Sequence, residues 1–273
     1  MNINLIKQRY QTHPYHLVDP SPWPIAASFA LLVLTLSAVM YMHGVNYGGY
    51  LLTLGVILVS TVMALWFRDI VIEGTYLGSH TEQVKRGLTI GFALFIISEV
   101  MAFLSVFWAY FHSSLVPAVE IGGTWPPLGI QVLDPFAIPL LNTILLLSSG
   151  AFITYAHHAI IKGNRRSAIL GFILTLLFAI LFTALQGYEY SEAGFTIADS
   201  VYGTVFFAST GLHGLHVLIG TIFIGVQFIR ILNHHITTTH HVGLESAIAY
   251  WHFVDVVWLF LYAFVYLWSA PNL

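Results

Sequence analysis

The sequence predicts an all-α membrane protein with seven transmembrane helices, and three observations carry this prediction. Hydrophobic residues make up 58% of the 273 residues and charged residues only 8%, whereas a soluble domain has about 25% charged residues. The apolar residues fall into seven long stretches, and a helix needs roughly 20 such residues to cross a bilayer. The positive residues also collect in alternate connections between these stretches, on one side of the membrane.

The seven predicted spans cover residues 24–43, 50–67, 87–112, 139–161, 168–188, 201–232 and 246–269. The third and sixth are longer than a bilayer requires, which predicts tilt or extension beyond the hydrocarbon, and the second is the shortest. The connections are a Gly-rich turn at 46–49, a polar loop at 68–86, a Gly/Pro loop at 113–135, a basic turn at 162–166, an acidic segment at 189–200 and a His-rich segment at 233–242.

The distribution of charge predicts the orientation, because Lys and Arg collect in the loops on the side of synthesis. All nine lie in the N-terminal tail, in the even-numbered connections or, for Arg230, at the end of the sixth span next to the sixth connection, namely Lys7, Arg9, Arg68, Lys85, Arg86, Lys162, Arg165, Arg166 and Arg230. The odd-numbered connections hold acidic residues instead. We therefore expect the N-terminus on the side of synthesis and the C-terminus across the membrane.

Composition excludes several classes of function. The net charge of −3 and the absence of a basic stripe argue against a nucleic-acid partner. With no cysteine, the chain has no disulfides, thiolate metal sites or cysteine nucleophile. The lysines Lys7, Lys85 and Lys162 all lie outside the spans, so a retinal Schiff base is excluded. The polar N-terminus lacks a signal-peptide pattern, and we expect the mature chain to start near Met1.

Two carboxyl residues lie inside predicted spans, where ionisable groups are costly and mark candidate functional sites. Glu99 has only apolar neighbours at helical spacing, so lipid favours its neutral form. It could exchange protons, face lipid as a polar site or line a small-molecule path; alternatively, it is a neutral acid hydrogen-bonded to another helix. Asp255 lies one turn from His252 and can pair with it, either functionally or as an intramembrane polar packing contact.

The histidines raise the question of a metal site. His213 and His216 are one helical turn apart, a spacing that metal ligands can use. The Glu-x-x-His pattern of di-metal bundles does not occur. Imidazoles at such positions also form hydrogen bonds between membrane helices, and we favour that polar packing role and predict no metal in this chain.

Several motifs, in order along nearly the whole chain, resemble the cytochrome c oxidase subunit III family. They are the N-terminal segment 13–24 (HPYHLVDPSPWP), 95–100 (FIISEV), 107–114 (FWAYFHSS), 122–127 (GGTWPP), 139–143 (PLLNT), 156–158 (AHH), 211–216 (GLHGLH) and 250–260 (YWHFVDVVWLF). The resemblance implies a non-redox core subunit of the terminal respiratory oxidase, which reduces oxygen to water and pumps protons. A stand-alone proton-coupled transporter using Glu99 and Asp255, and a metal oxidoreductase using His213 and His216, are the alternatives.

The resemblance also implies an architecture and an environment. Residues 1–273 would form one transmembrane domain, with the tail and a two-helix bundle in 1–67, a connecting loop and a five-helix bundle in 68–273, and a lipid cleft between the bundles. The chain would hold no cofactor, since haem and copper belong to partner subunits. Its partners would be catalytic subunit I, other oxidase subunits, phospholipids and respiratory supercomplexes. The location would be the mitochondrial inner membrane with the N-terminus in the matrix; a bacterial inner membrane is the alternative.

The resemblance finally implies roles for single residues. Glu99 matches the carbodiimide-reactive intramembrane carboxyl of the family, which makes it a candidate for proton uptake. Arg68, Glu73 and His80 match positions close to lipid headgroups, and Arg230 is a further headgroup candidate. The chain would stabilise the catalytic subunit during turnover. No residue of this chain is expected to be catalytic.

Overall fold

The structure, a computed structural model, describes residues 12–238 and 240–270. Lys7 and Arg9 lie outside the described residues. The described part is helical, and its long helices are α1 (Trp23–Met42), α2 (Gly48–Thr75), α3 (Glu82–Leu115), α4 (Ile138–Ile161), α5 (Arg165–Glu192), α6 (Val201–Leu232) and α7 (Val242–Leu261). A π-helix, Tyr262–Leu267, continues α7. All seven are long and apolar enough to cross a membrane, which confirms the predicted all-α, seven-helix fold class.

Several helices run further into the predicted connections than the apolar stretches do. Helix α2 ends at Thr75 and α3 begins at Glu82, so the predicted loop 68–86 shrinks to a few residues. Arg68 and Glu73 therefore lie on a helix, which corrects their assignment to a loop. At 1.5 Å per residue, 28 residues span about 42 Å, more than the roughly 30 Å of hydrocarbon. Hydropathy detects only the portion in lipid, and the helix continues into the polar interface.

The chain divides into two compact units after Leu88. In the first unit, α1 and α2 pack through small residues that allow the two backbones to approach closely. A Cβ atom added to Gly55 would lie 2.8 Å from the Cα of Leu34, so this position requires glycine. The indole Nε1 of Trp23, at the start of α1, donates a 2.6 Å hydrogen bond to Asp69 near the end of α2. These contacts join the helices at both the middle and one end.

In the second unit, α7 is the most deeply buried helix. More than half of its span (56%) is buried, against at most 39% for any other. The Trp251 indole donates to the Ser149 hydroxyl and the Trp258 indole donates to the Thr143 hydroxyl, both at 2.9 Å. Both tryptophans are fully buried. Large aromatic area and a satisfied N–H group thus join α7 to α4 without exposing a polar group to lipid.

Helices α4 and α5 are joined by a short basic turn and pack closely as an antiparallel pair. A Cβ atom added to Gly171 would lie 2.8 Å from the Cβ of Ala156 and 2.9 Å from the carbonyl oxygen of Phe152. The hydroxyl of Thr175 also donates to the Ser149 carbonyl at 3.3 Å. This interface therefore depends on a residue without a side chain at position 171.

We predict that Gly171→Ala destabilises the second unit by about 1–3 kcal/mol, because the new methyl group overpacks the interface between α4 and α5. Gly225→Ala is the matched control, since nothing lies within 4 Å of its added Cβ, and alanine raises helix propensity by about 1 kcal/mol. Thermal denaturation of the protein purified from its native membrane measures both. Equal midpoints for the two variants would contradict the close contact.

Candidate functional site

The central polar contact of the second unit joins Glu99 on α3 to His216 on α6. Oε2 of Glu99 lies 2.7 Å from Nε2 of His216, so the two side chains hydrogen-bond between helices. The side chain of His216 is 8% exposed and that of Glu99 is 24% exposed. The carboxyl predicted to stand among apolar neighbours therefore has a polar partner, which lies 117 residues away in sequence.

The hydrogen bonds of His216 fix how many protons the pair holds. Its Nδ1 lies 2.8 Å from the carbonyl oxygen of Leu212, and because a carbonyl only accepts, Nδ1 must carry a proton. Nε2 of a neutral ring is then an acceptor. A 2.7 Å contact to a carboxyl oxygen requires one proton between the two groups, on Glu99 as an acid or on His216 as an imidazolium. The pair is therefore neutral overall and holds one transferable proton.

Aromatic rings enclose His216 and limit access of water. The Phe103 ring meets it edge-on at 4.9 Å, and the rings of Tyr250 and Phe253 lie 6.2 Å away. Phe103 and Tyr250 are themselves buried. The imidazole is therefore enclosed, and the exposed member of the pair is Glu99 on α3.

A second carboxyl–imidazole pair, His252 and Asp255, has the same arrangement of hydrogen bonds. Nδ1 of His252 lies 3.2 Å from Oδ2 of Asp255, and its Nε2 lies 3.0 Å from the hydroxyl of Thr154. The Thr154 hydroxyl donates to the Gly150 carbonyl at 2.9 Å, so Nε2 of His252 donates to Thr154. Nδ1 then needs a proton shared with Asp255. The predicted pairing of His252 and Asp255 is present.

His213 and His216 point to different partners although they are one turn apart. Nε2 of His213 donates to the carbonyl of Val254 at 3.2 Å, and its ring packs against those of Phe182 and Trp258. Neither histidine belongs to a group of three His, Asp or Glu side chains within metal-binding reach in the described ranges. Their geometry is that of hydrogen bonds between helices.

The sequence reasoning missed Glu189, which it assigned to an acidic connection. The structure places this residue in α5, where it is 1% exposed. Its Oε1 accepts hydrogen bonds from the Tyr266 hydroxyl at 2.6 Å and from the Gln186 amide at 3.2 Å. The one sequence signal for burial of Glu189 is its helical spacing from Gln186. The other acidic residues nearby resemble those of a solvent-exposed helix end.

In the first unit, the headgroup candidates lie on or near the end of α2. The Arg68 side chain is 58% exposed and pairs with Asp69 at 2.9 Å. One ligand atom each of His16, Glu73 and His80 lies within 4.8 Å of the others. The structure thus brings Glu73 and His80 together and adds His16, which sequence reasoning did not single out.

The remaining candidate, Arg230, lies near the end of α6 in the second unit. Its Nη1 donates to the side-chain oxygen of Gln227 at 3.1 Å. The guanidinium of Arg165, at the start of α5, donates to the carbonyls of Ile231 and Leu232 at the end of α6. Positive charge at this helix C-terminus is favourable, because the unpaired carbonyls there carry a partial negative charge.

Comparison with known proteins gives consistent results over the whole chain. The family model described as cytochrome c oxidase subunit III matches residues 13–270. A protein from Mycosarcoma maydis named cytochrome c oxidase subunit 3 is 60% identical over 99% of this chain and 100% of its own length. Proteins of the same name from Emericella nidulans and Neurospora crassa are 58% and 57% identical, over 96% and 98% of this chain and 98% and 99% of their own lengths.

We predict that Glu99→Ala and His216→Ala are energetically coupled. Double-mutant cycles for hydrogen bonds between membrane helices average about 0.6 kcal/mol and reach about 1.7 kcal/mol, and a shared proton places this pair at the upper end. The cycle of Glu99→Ala with His213→Ala is the control, because His213 bonds to Val254 instead. It should be additive within about 0.5 kcal/mol. Thermal denaturation measures both cycles, and equal coupling in the two would contradict the pairing.

Proposed function

The chain belongs to the cytochrome c oxidase subunit III family, and on that premise we propose that it stabilises the catalytic subunit, supports proton uptake and holds phospholipid. It is a subunit of cytochrome c oxidase and a multi-pass protein of the mitochondrial inner membrane. Its partners are other oxidase subunits. We propose catalytic subunit I as the direct partner, and respiratory supercomplexes as the larger assembly.

The contact between Glu99 and His216 is the observation that carries the proton-uptake role. One proton is shared between a carboxyl and an imidazole across 2.7 Å, so the pair can release or accept a proton by moving it over a short distance. The Glu99 side chain is 24% exposed, so the carboxyl member of the pair is the accessible one. Because His216 is nearly buried, proton exchange with the surroundings would run through the carboxyl of Glu99.

The headgroup role rests on the chemistry at the end of α2. A phospholipid headgroup carries a phosphate and, in many lipids, an amine. The exposed guanidinium of Arg68 suits the phosphate, and the carboxyl of Glu73 beside His80 suits a cationic group. On α6, the Arg230 guanidinium offers a second cation for phosphate. All of these residues lie on the side that the charge distribution assigns to the matrix.

The cofactor proposal is that haem and copper are held by partner subunits. His213 is hydrogen-bonded to the Val254 carbonyl and His216 to the Leu212 carbonyl and Glu99, and neither belongs to a group of three ligand-type side chains among the described residues. The orientation proposal places the N-terminus in the matrix, because the described basic residues, from Arg68 to Arg230, lie at even-numbered connections.

We predict that a hydrophobic carbodiimide modifies Glu99 in the assembled oxidase and lowers both proton pumping and the number of turnovers before inactivation. Carbodiimides react with protonated carboxyls, and the shared proton supplies that form at an accessible oxygen. Asp255 and Glu189, which are 6% and 1% exposed, should remain unmodified. Mass-spectrometric mapping and pumping in vesicles are the measurements.

Glu99→Gln is the control for this experiment, since its amide can still bond to Nε2 of His216 but cannot react. We expect this variant to assemble and to resist the reagent. Even without treatment, it should complete fewer turnovers than wild type before it is inactivated. Modification of Glu99 without any change in pumping or lifetime would reduce the pair to a packing contact.

A further inference from the structure

A cluster of ligand-type side chains lies in the second unit, away from the Glu99 pair. His157 is in the last turns of α4, His241 immediately precedes α7, and Glu245 is in the first turn of α7. One ligand atom of each lies within 4.8 Å of the others. The rings of His157 and His241 are 5.5 Å apart and meet edge-on.

The spacing within this cluster suits a tetrahedral cation. Zinc bonds of about 2.0–2.1 Å to nitrogen and oxygen place neighbouring ligand atoms about 3.3–3.4 Å apart at tetrahedral angles. Nε2 of His241 and Oε1 of Glu245 are 3.3 Å apart. Since all three ligand atoms lie within 4.8 Å of one another, a shift of the His157 ring by at most about 1.5 Å would bring the third ligand to the same separation.

The orientation of His241 prepares its Nε2 to bind. Nδ1 of this ring lies 2.9 Å from the carbonyl oxygen of Thr237, so Nδ1 carries the proton. An outer hydrogen bond of this kind orients metal-binding histidines and directs the lone pair of Nε2 at the ion. The lone pair here faces a carboxylate oxygen, and two acceptors at 3.3 Å repel unless a proton or a cation lies between them.

The ring of His157 adds an independent observation. Its Nε2 is buried and has no hydrogen-bond partner in the described part of the protein. Leaving a buried polar atom unpaired is costly, and such an atom in a native structure calls for a ligand or a bridging water. The Glu245 side chain is 49% exposed, which leaves an open side for an ion to enter and for water to complete its coordination.

We propose that His157, His241 and Glu245 bind a divalent transition-metal cation of the zinc class, with water as the remaining ligand. Two imidazoles and one carboxylate form the donor set of open zinc sites. The site is independent of the proposed proton role of Glu99, since the two share no residue. The alternative is an imidazolium–carboxylate pair between His241 and Glu245 that binds no metal.

The test measures binding of Zn²⁺ to the assembled oxidase after washing with a chelator. Wild type and variants are compared by equilibrium dialysis, so that metals held by other subunits cancel in the difference. We expect His157→Gln and Glu245→Gln each to lose one equivalent or to bind it more than about 100-fold more weakly, because even outer-shell changes cost about 10–100-fold. X-ray absorption of the extra equivalent in wild type should show nitrogen and oxygen ligands.

His158→Gln is the matched control, because this exposed neighbour is not part of the cluster. It should bind Zn²⁺ as wild type does. Unchanged binding in the first two variants, or an equal loss in the control, would overturn the proposal. Should His157→Gln fail to assemble, Glu245→Gln decides, since its half-exposed side chain is dispensable for packing.

Discussion

The hydrogen-bond requirement of the membrane interior governs this structure. Lipid offers no donor or acceptor, so polar side chains within the spans need partners in the protein. The indoles of Trp251 and Trp258 meet hydroxyls on α4, and His213 meets a carbonyl on α7. Each bond joins two helices, so satisfying the polar groups also fixes how the helices pack. The apolar faces need only lipid, which explains why so many Leu, Ile and Val side chains are exposed.

The same requirement turns two carboxyls into proton-holding pairs. In Glu99–His216 and in Asp255–His252, one ring nitrogen is committed to a fixed partner and the other faces the carboxyl. Each pair therefore holds one proton and no net charge, which avoids the cost of an isolated ion. They differ in which member is exposed: in the first pair the Glu99 side chain is 24% exposed and His216 is nearly buried, whereas in the second Asp255 is nearly buried and the His252 side chain is 44% exposed. The carboxyl itself is therefore accessible only in the Glu99 pair.

Hydropathy and charge predicted the seven helices because lipid imposes a strong and local requirement on composition. The pairing of Asp255 with His252 was also predictable, since the partners are one turn apart on one helix. The partner of Glu99 was not, because α3 and α6 are brought together by tertiary packing. The cluster of His157, His241 and Glu245 was missed for the same reason: only the fold brings His157 and His241 together and leaves out their neighbours His158 and His240. Glu189 was misassigned for a different reason: its acidic sequence neighbours suggested an exposed connection, although the residue is buried.

The shared proton of Glu99 and His216 is the central claim, and infrared difference spectroscopy of the assembled oxidase against Glu99→Gln tests it most directly. The substitution removes the carboxyl and keeps a group that hydrogen-bonds to Nε2. One shared proton predicts that the variant loses either a protonated-carboxyl band or a carboxylate band together with an imidazolium band. Loss of carboxylate bands alone, with a neutral imidazole unchanged, would mean that the pair holds no proton between its members and would contradict the account.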